Sequence, residues 1–271
     1  KTRCDINRYK KVAKYFTDNS GLPNLFLPGD NDWNDCPNSD AAWQYWASTF
    51  IPFEKNWAGR SAFPATVDRM PGQEVNFGFV RGGVVFLGLN LVGGQTNKYI
   101  TQSDWDTIIE NDIEWAKKYL NDHKVGDPKA DPNSKEYVRG IVAFGHSARG
   151  RRFNKFLQER LSQTDIPVVY IHGNGHTYQA EQSFKSDKWY NYWRIQVDMG
   201  YNAPPARFTV RGTTKDALDL DMSVDKGMVF PGGFMKFDRR GGTYPGAVPV
   251  DENGIPLVEE DRMLDEVHEL L

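Results

Sequence analysis

The chain has 271 residues, a formal net charge of −3 and 25% charged side chains, a length sufficient to bury a large core. With a pI near 6.0, mean hydropathy of −0.62 and no basic run, it lacks the electrostatic footprint of a nucleic-acid binder, and no apolar stretch approaches the roughly 20 residues that cross a bilayer. It opens on Lys1 with neither an initiator Met nor a secretory signal, so it is expected to start partway along a longer product.

From Asn7 to Asp18, the residues Tyr9, Val12, Ala13 and Phe16 recur at helical spacing and leave Lys10, Lys11 and Lys14 toward water. Gly21-Leu22-Pro23 ends that helix. Asn24 to Leu27 reads as a short buried strand, broken by Pro28-Gly29 directly before Asp30-Asn31-Asp32-Trp33-Asn34-Asp35, a loop dense in oxygen-bearing side chains. Cys4 and Cys36, the two cysteines, flank this segment. A bridge between them would close a loop of about 30 residues, stabilise by roughly 3–4 kcal/mol in the chain-entropy model and imply an oxidising compartment; two free thiols are the alternative.

After Asp40, the run Ala41, Trp43, Gln44, Trp46, Ala47 and Phe50 predicts a second helix, and Pro52 to Pro71 reads as irregular. Val75 to Val80 and Gly83 to Val92 predict a hairpin turned at Arg81-Gly82-Gly83, its second strand apolar enough for burial on both faces. Ser103 to Leu120 is a helix with Asp104 and Asp106 in its first turn, and His123 to Lys135 is a polar excursion. Ile141 to Phe144, a helix from Arg151 to Ser162, and Pro167 to Ile171 continue an α/β rhythm. Trp193 to Met199 and Arg207 to Val210 supply two late strands, consistent with a second sheet. From Arg211 onward Gly and Pro recur, so little regular structure is expected before Val258. The last residues place Met263, Leu264, Val267, Leu270 and Leu271 on one helical face, either docked on this chain or met by a partner.

Three polar loops thus follow apolar runs: Gly29 to Asp35, Gly145-His146, and His172-Gly173-Asn174-Gly175-His176. An α/β sheet presents ligands at such strand ends. Their order and placement resemble the calcineurin-like metallophosphoesterases, whose motifs run Asp-x-His, Gly-Asp, Gly-Asn-His/Asp/Glu, a lone His, and Gly-His-x-His. Phe86 to Gly94 and the following helix with Glu114-Trp115 extend the likeness, which spans roughly Cys4 to Val210.

The resemblance implies an α/β fold of two packed mixed β-sheets flanked by helices, a four-layer αββα sandwich incomplete at its N-terminus. It would occupy residues 1–210, with 211–271 a Gly/Pro-rich arm. It also implies two divalent or trivalent transition-metal ions, Zn, Fe or Mn, held by Asn31, His146, Asn174 and His176. Asn31 takes the amide position if Asp30 is counted as an insertion, and Asn174 stands where the family has its first His. Asp32 falls at the phosphate-facing position and His172 either replaces the missing imidazole or supports the site, so both receive catalytic roles; Arg149 is the candidate contact for an anionic substrate. The implied reaction is hydrolysis of a phosphate ester, with the ions polarising the phosphoryl group and supplying hydroxide for in-line attack. Neither an Asp-x-His nor the bridging Asp is found in this chain, so those ligands are expected upstream. The alternative is a non-catalytic, secreted binding or structural protein on a degraded phosphoesterase scaffold. The expected partners are a phosphorylated small molecule and, through the C-terminal arm, a protein; no nucleic acid and no membrane span are expected. An extracellular or other oxidising compartment follows from the bridge, if it forms.

Overall fold

The computed structural model describes residues 4–94, 96, 100–127, 129–131, 133–134, 136–147, 151–182, 191–200, 203–211 and 228–240. Its centre is a mixed seven-stranded sheet in the order β1-β2-β3-β4-β5-β7-β6, beside a three-stranded sheet in the order β8-β10-β9. β1 (Asp68–Met70), β2 (Gln73–Arg81) and β3 (Val84–Gly88) form an antiparallel meander. β3, β4 (Gly140–Gly145), β5 (Val168–His172) and β7 (Tyr192–Gln196) then run parallel, and β6 (Gln179–Gln182) returns antiparallel along β7.

Strict alternation along β3 to β5 explains the two buried faces. Val85, Leu87, Ile141, Ala143, Val168 and Tyr170 pack with Trp115, Ala116 and Leu120 of α3 (Gln102–Asp122) and with Phe153, Leu157 and Leu161 of α4 (Arg151–Leu161). Val84, Phe86, Val142, Val169 and Ile171 face the other way, onto Phe230, Phe234, Met235 and Phe237 around β9 (Met228–Val229) and β10 (Met235–Asp238). Helices, large sheet and small sheet are therefore three stacked layers. α3 begins with a capping box in which Asp104 Oδ2 accepts from the Thr101 N–H at 2.8 Å while Thr101 Oγ1 accepts from the Asp104 N–H at 3.3 Å.

α1 (Ile6–Asn19) and α2 (Ser39–Phe50) form a separate aromatic cluster with Val75 of β2. Asp5 caps α1 by accepting from the Asn7 N–H, and Asn38 caps α2 by accepting from the Ala41 N–H. Asn24 to Leu27, expected as a strand, has no ladder partner among the described residues. Its shape is set by ring packing: Phe26 lies 4.9 Å from Phe16, 4.8 Å from Phe50 and 5.0 Å from Phe53, centroid to centroid. The stretch expected to be irregular holds a 3-10 helix at Phe53–Trp57, tied to β1 by a pair in which Arg69 Nη2 donates to Glu54 Oε2 at 2.6 Å.

Two other expectations change. Tyr192–Gln196 joins the large sheet beside β5 and leaves β8 (Arg207–Val210) to the small one. Residues 228–238, expected to lack regular structure, pair as β9 and β10, and β10 hydrogen-bonds β8. Their apolar side chains cover one face of the large sheet, so burial overrides the local Gly and Pro content. The terminal helix expected after Val258 lies outside the described residues, as does most of the arm. No helix among the described residues is long and apolar enough to cross a membrane.

Beneath α3 sits a buried polar knot. The Asn90 N–H donates to Asn76 Oδ1 at 2.9 Å and to Asp112 Oδ1 at 3.2 Å, while Asp112 Oδ2 and Asn90 Oδ1 have no hydrogen-bond partner. Burial pushes the Asp112 carboxyl up from 3.8 to about 8, so it is protonated in the folded chain at neutral pH. Between those two values the unfolded chain releases a proton that the folded chain keeps. Stability therefore falls as pH rises through this window, by at most about 1.4 kcal/mol per pH unit for one proton. In Asp112→Asn this component of the slope should vanish in urea unfolding at pH 4.5, 6 and 7.5; equal slopes in the two proteins would refute a protonated Asp112.

Candidate metal-binding site

Leu91 carries the chain past β3 and positions the first imidazole. Its carbonyl accepts from the His146 and Ser147 N–H groups at 3.0 and 2.8 Å, which extends the β3–β4 pairing one step beyond the strands. His146 is thereby fixed at the carboxyl end of β4, level with the loop that follows β5. Its Nε2 lies 3.1 Å from Asp30 Oδ1, across 116 residues of sequence. An ionised carboxylate only accepts, so Nε2 carries the proton in this contact.

Asp30 begins a three-residue 3-10 turn, Asp30–Asp32, entered from Gly29. Asp30 Oδ1 also accepts from the Asn31 N–H at 2.8 Å, and Asp32 Oδ2 accepts from the Gly29 N–H at 2.7 Å. The His146 ring and the Asp32 carboxylate meet over Gly29: a Cβ there would stand 3.0 Å from His146 Cε1 and 3.3 Å from Asp32 Oδ2. Gly93 makes a similar cradle, because a Cβ there would stand 2.9 Å from Asp30 Oδ2 and against Asn174 Nδ2. Asp30, Asp32, His146 and Asn174 therefore surround one small region between the Gly29 turn and the Gly93 strap. Asn34 Nδ2 closes it by donating to the Gly93 carbonyl at 3.0 Å.

The two carboxylates are tuned in opposite directions. Asp30 is held below the ordinary value of 3.8, chiefly by its hydrogen bond to His146, with burial opposing. Asp32 is pushed up by burial, although the Gly29 N–H and the nearby imidazole pull it down. His172, buried at the end of β5, is pushed below 6.5 by burial, with its Gly173 hydrogen bond opposing and the charges of Arg194 and His146 adding to the shift. A neutral imidazole follows. Its Nδ1 donates to the Gly173 carbonyl at 2.8 Å, which leaves Nε2 a buried lone pair with no hydrogen-bond partner.

Of the remaining expected site residues, Asn31 and His176 are not brought to this region. Asn31 is exposed, and its carbonyl, not its side chain, faces the Cys4–Cys36 bridge. His176 is exposed with φ of 62°, and its carbonyl accepts from the Met199 N–H at 3.3 Å. Asn174 reaches the cradle from a left-handed backbone, φ 63°, a conformation Asn tolerates better than most residues. Arg149 lies outside the described residues. Asp30, expected as an insertion, is the residue that meets His146. Reading Gly29-Asp30-Asn31-Asp32 straight through, with no insertion, puts Asp30 at the amide position.

Asp30, His146 and Asn174 bring a carboxylate, an imidazole and an amide together, residue types found around Zn, Mn or Fe, with the amide Nδ2 of Asn174 the atom nearest Gly93; His172 Nε2 is a buried lone pair without a hydrogen-bond partner. Among the described residues no group of three or more His, Cys, Asp or Glu side chains is arranged to hold a metal ion. Cys4 and Cys36 do form a disulfide, which is compatible with an oxidising compartment. Neither the models of known protein families nor the curated proteins contain a match to this chain.

His146→Ala should raise the carboxyl titration midpoint of Asp30, followed by carbon-13 NMR. The depressed value contributes stability above the unfolded pKa, and this is lost as pH falls through the folded one. The variant should thus be about 1–2 kcal/mol less stable than the parent at neutral pH, with the gap closing in acid; an unmoved midpoint would contradict the pairing. Gly93→Ala inserts a methyl 2.9 Å from Asp30 Oδ2 and should cost about 1–3 kcal/mol in thermal unfolding, whereas a loss below 0.5 kcal/mol, about the scatter of neutral surface changes, would contradict the close approach.

Proposed function

We propose that this chain is part of a metal-dependent phosphoester hydrolase of the calcineurin-like metallophosphoesterase type. One observation carries the reading: Asp30 and His146, 116 residues apart, meet at the carboxyl end of a parallel strand with Asn174 from the next strand's loop beside them. With that reading comes a four-layer αββα domain, of which the helix layer and the two sheets are the counterpart. The arm of that assignment would begin only after the small sheet to which residues 228–238 contribute, and a protein partner for it belongs to the same proposal.

Asp30, His146 Nε2 and Asn174 would hold a Zn, Mn or Fe ion, and a second ion of a dinuclear pair would draw on donors beyond this group, Asn31 and His176 being those the family resemblance nominates. When bound, such ions polarise a phosphoryl oxygen and lower the pKa of a water. The chain's own residues set the rest. An ion would take the place of the Nε2 proton that Asp30 accepts, and because ligands bind deprotonated, affinity rises with pH. Asp32, which burial pushes up and which is fixed through Oδ2 to the Gly29 N–H, would be the group facing the phosphate. The lone pair on His172 Nε2 stands ready to accept one. Arg149 would contact the phosphate of the substrate, and the compartment would be extracellular or another oxidising one.

The test is Mn2+ binding, followed by loss of the free-ion EPR signal, together with hydrolysis of 4-nitrophenyl phosphate and bis(4-nitrophenyl) phosphate. The expected result is at least one bound ion per chain, tighter at pH 8 than at pH 6, and turnover abolished by a chelator. Asp30→Ala and His146→Ala should each weaken the ion about 10–100-fold. Less than one equivalent bound, with both variants indistinguishable from the parent, would overturn the proposal and leave the non-catalytic scaffold.

A further inference from the structure

The turn that carries Asp30 is a single short 3-10 segment, too short to be stable by itself, so its position is imposed from outside. Cys4, directly before the Asp5 cap of α1, is bridged to Cys36 just beyond the turn. Both sulfurs rest on the Asn31 carbonyl oxygen, at 3.9 and 3.7 Å. A disulfide sulfur carries no hydrogen, so these are packing contacts. One turn into α1, the Tyr9 hydroxyl donates to the Asp32 carbonyl at 2.5 Å. The bridge thus pins the start of α1 where Tyr9 can hold the turn. Cys36 is buried with Trp33, Ala42, Val92 and Ile100, and Val92 immediately precedes the Gly93 strap over Asp30 and Asn174.

We propose that the Cys4–Cys36 disulfide is a redox-sensitive clamp on the Asp30–His146 site: oxidised, it presents Asp30 to His146; reduced, it releases the turn and the site loses its hold on an ion. The metal part of this statement rests on the function proposed above. Cys4 keeps some exposure while Cys36 is buried, so a thiolate of a dithiol reductant attacks Cys4 Sγ and Cys36 leaves as a thiolate that takes a proton. The second thiol of the reductant then attacks the mixed disulfide and frees Cys4. Two electrons and two protons pass to the protein, and the reductant ends as its own disulfide.

The experiment compares the oxidised chain with the chain reduced by dithiothreitol and freed of it by anaerobic gel filtration. Three readouts are taken: Mn2+ affinity, the His146 Hε1 resonance and far-ultraviolet circular dichroism. Mn2+ is chosen because it binds thiolates poorly. Reduction should weaken Mn2+ at least tenfold and shift the His146 resonance, with the dichroism unchanged and both effects reversed by oxidised glutathione. The double variant Cys4→Ser, Cys36→Ser should behave as the reduced chain whatever the redox state. Unchanged affinity and resonance would overturn the clamp; so would loss of the dichroism, which would make the bridge a staple of the whole fold. If the oxidised chain binds no Mn2+, the metal reading fails by itself and the His146 resonance alone decides the clamp.

Discussion

Both faces of the parallel strands β3, β4 and β5 are covered, with only Phe144 and Gly145 at the end of β4 partly exposed. Even-numbered Val84 and Phe86 point into the small sheet while odd-numbered Val85 and Leu87 point into α3 and α4, so a slip of one residue would exchange two differently shaped interiors. Register is therefore fixed along the whole sheet, down to the pairing of Gly145 with His172. That pairing sets the height at which His146 and the loop after β5 emerge. The polar residues at the strand ends inherit their positions from a core with which they share no chemistry.

The acidic turn reaches the same edge by a different route. It is not part of the sheet; it is tied down by the Cys4–Cys36 bridge, by the Tyr9 hydroxyl and by Asn34 on the Gly93 carbonyl. Strand ends supply the imidazoles and Asn174, and a clamped turn supplies the carboxylates. The opposite tuning of Asp30 and Asp32 follows from this: the first faces an imidazole, the second is turned inward onto a backbone N–H in a place where burial dominates.

A further buried carboxyl, Asp112, supports the strap. Asp112 and Asn76 hold the Asn90 N–H where β3 gives way to the irregular residues that lead to Gly93. A protonated carboxyl is the less costly choice there, since its hydrogen bonds would offset only part of the cost of an ionised one in a fully buried place. The core thus accepts polar groups where the chain must leave the sheet and approach the site.

Helical periodicity in α1, α2, α3 and α4, and the long apolar runs of β3, β4 and β5, were legible in the sequence because each is a local pattern repeated over a turn or a pleat. β6 was not, since Gln179–Gln182 is exposed along its length and alternates nothing; nor were β9 and β10, whose Gly- and Pro-rich surroundings point locally to a loop. At the site, the sequence by itself determined which residue types stand at the strand ends. Only the tertiary structure decided that Asp30 rather than Asn31 meets His146, that Asn174 turns inward, and that His176 stays exposed. The reason is physical: a one-residue step around a 3-10 turn swings a side chain by about a third of a revolution, and what selects the step is the distant packing of sulfur, tyrosine and glycine against the backbone.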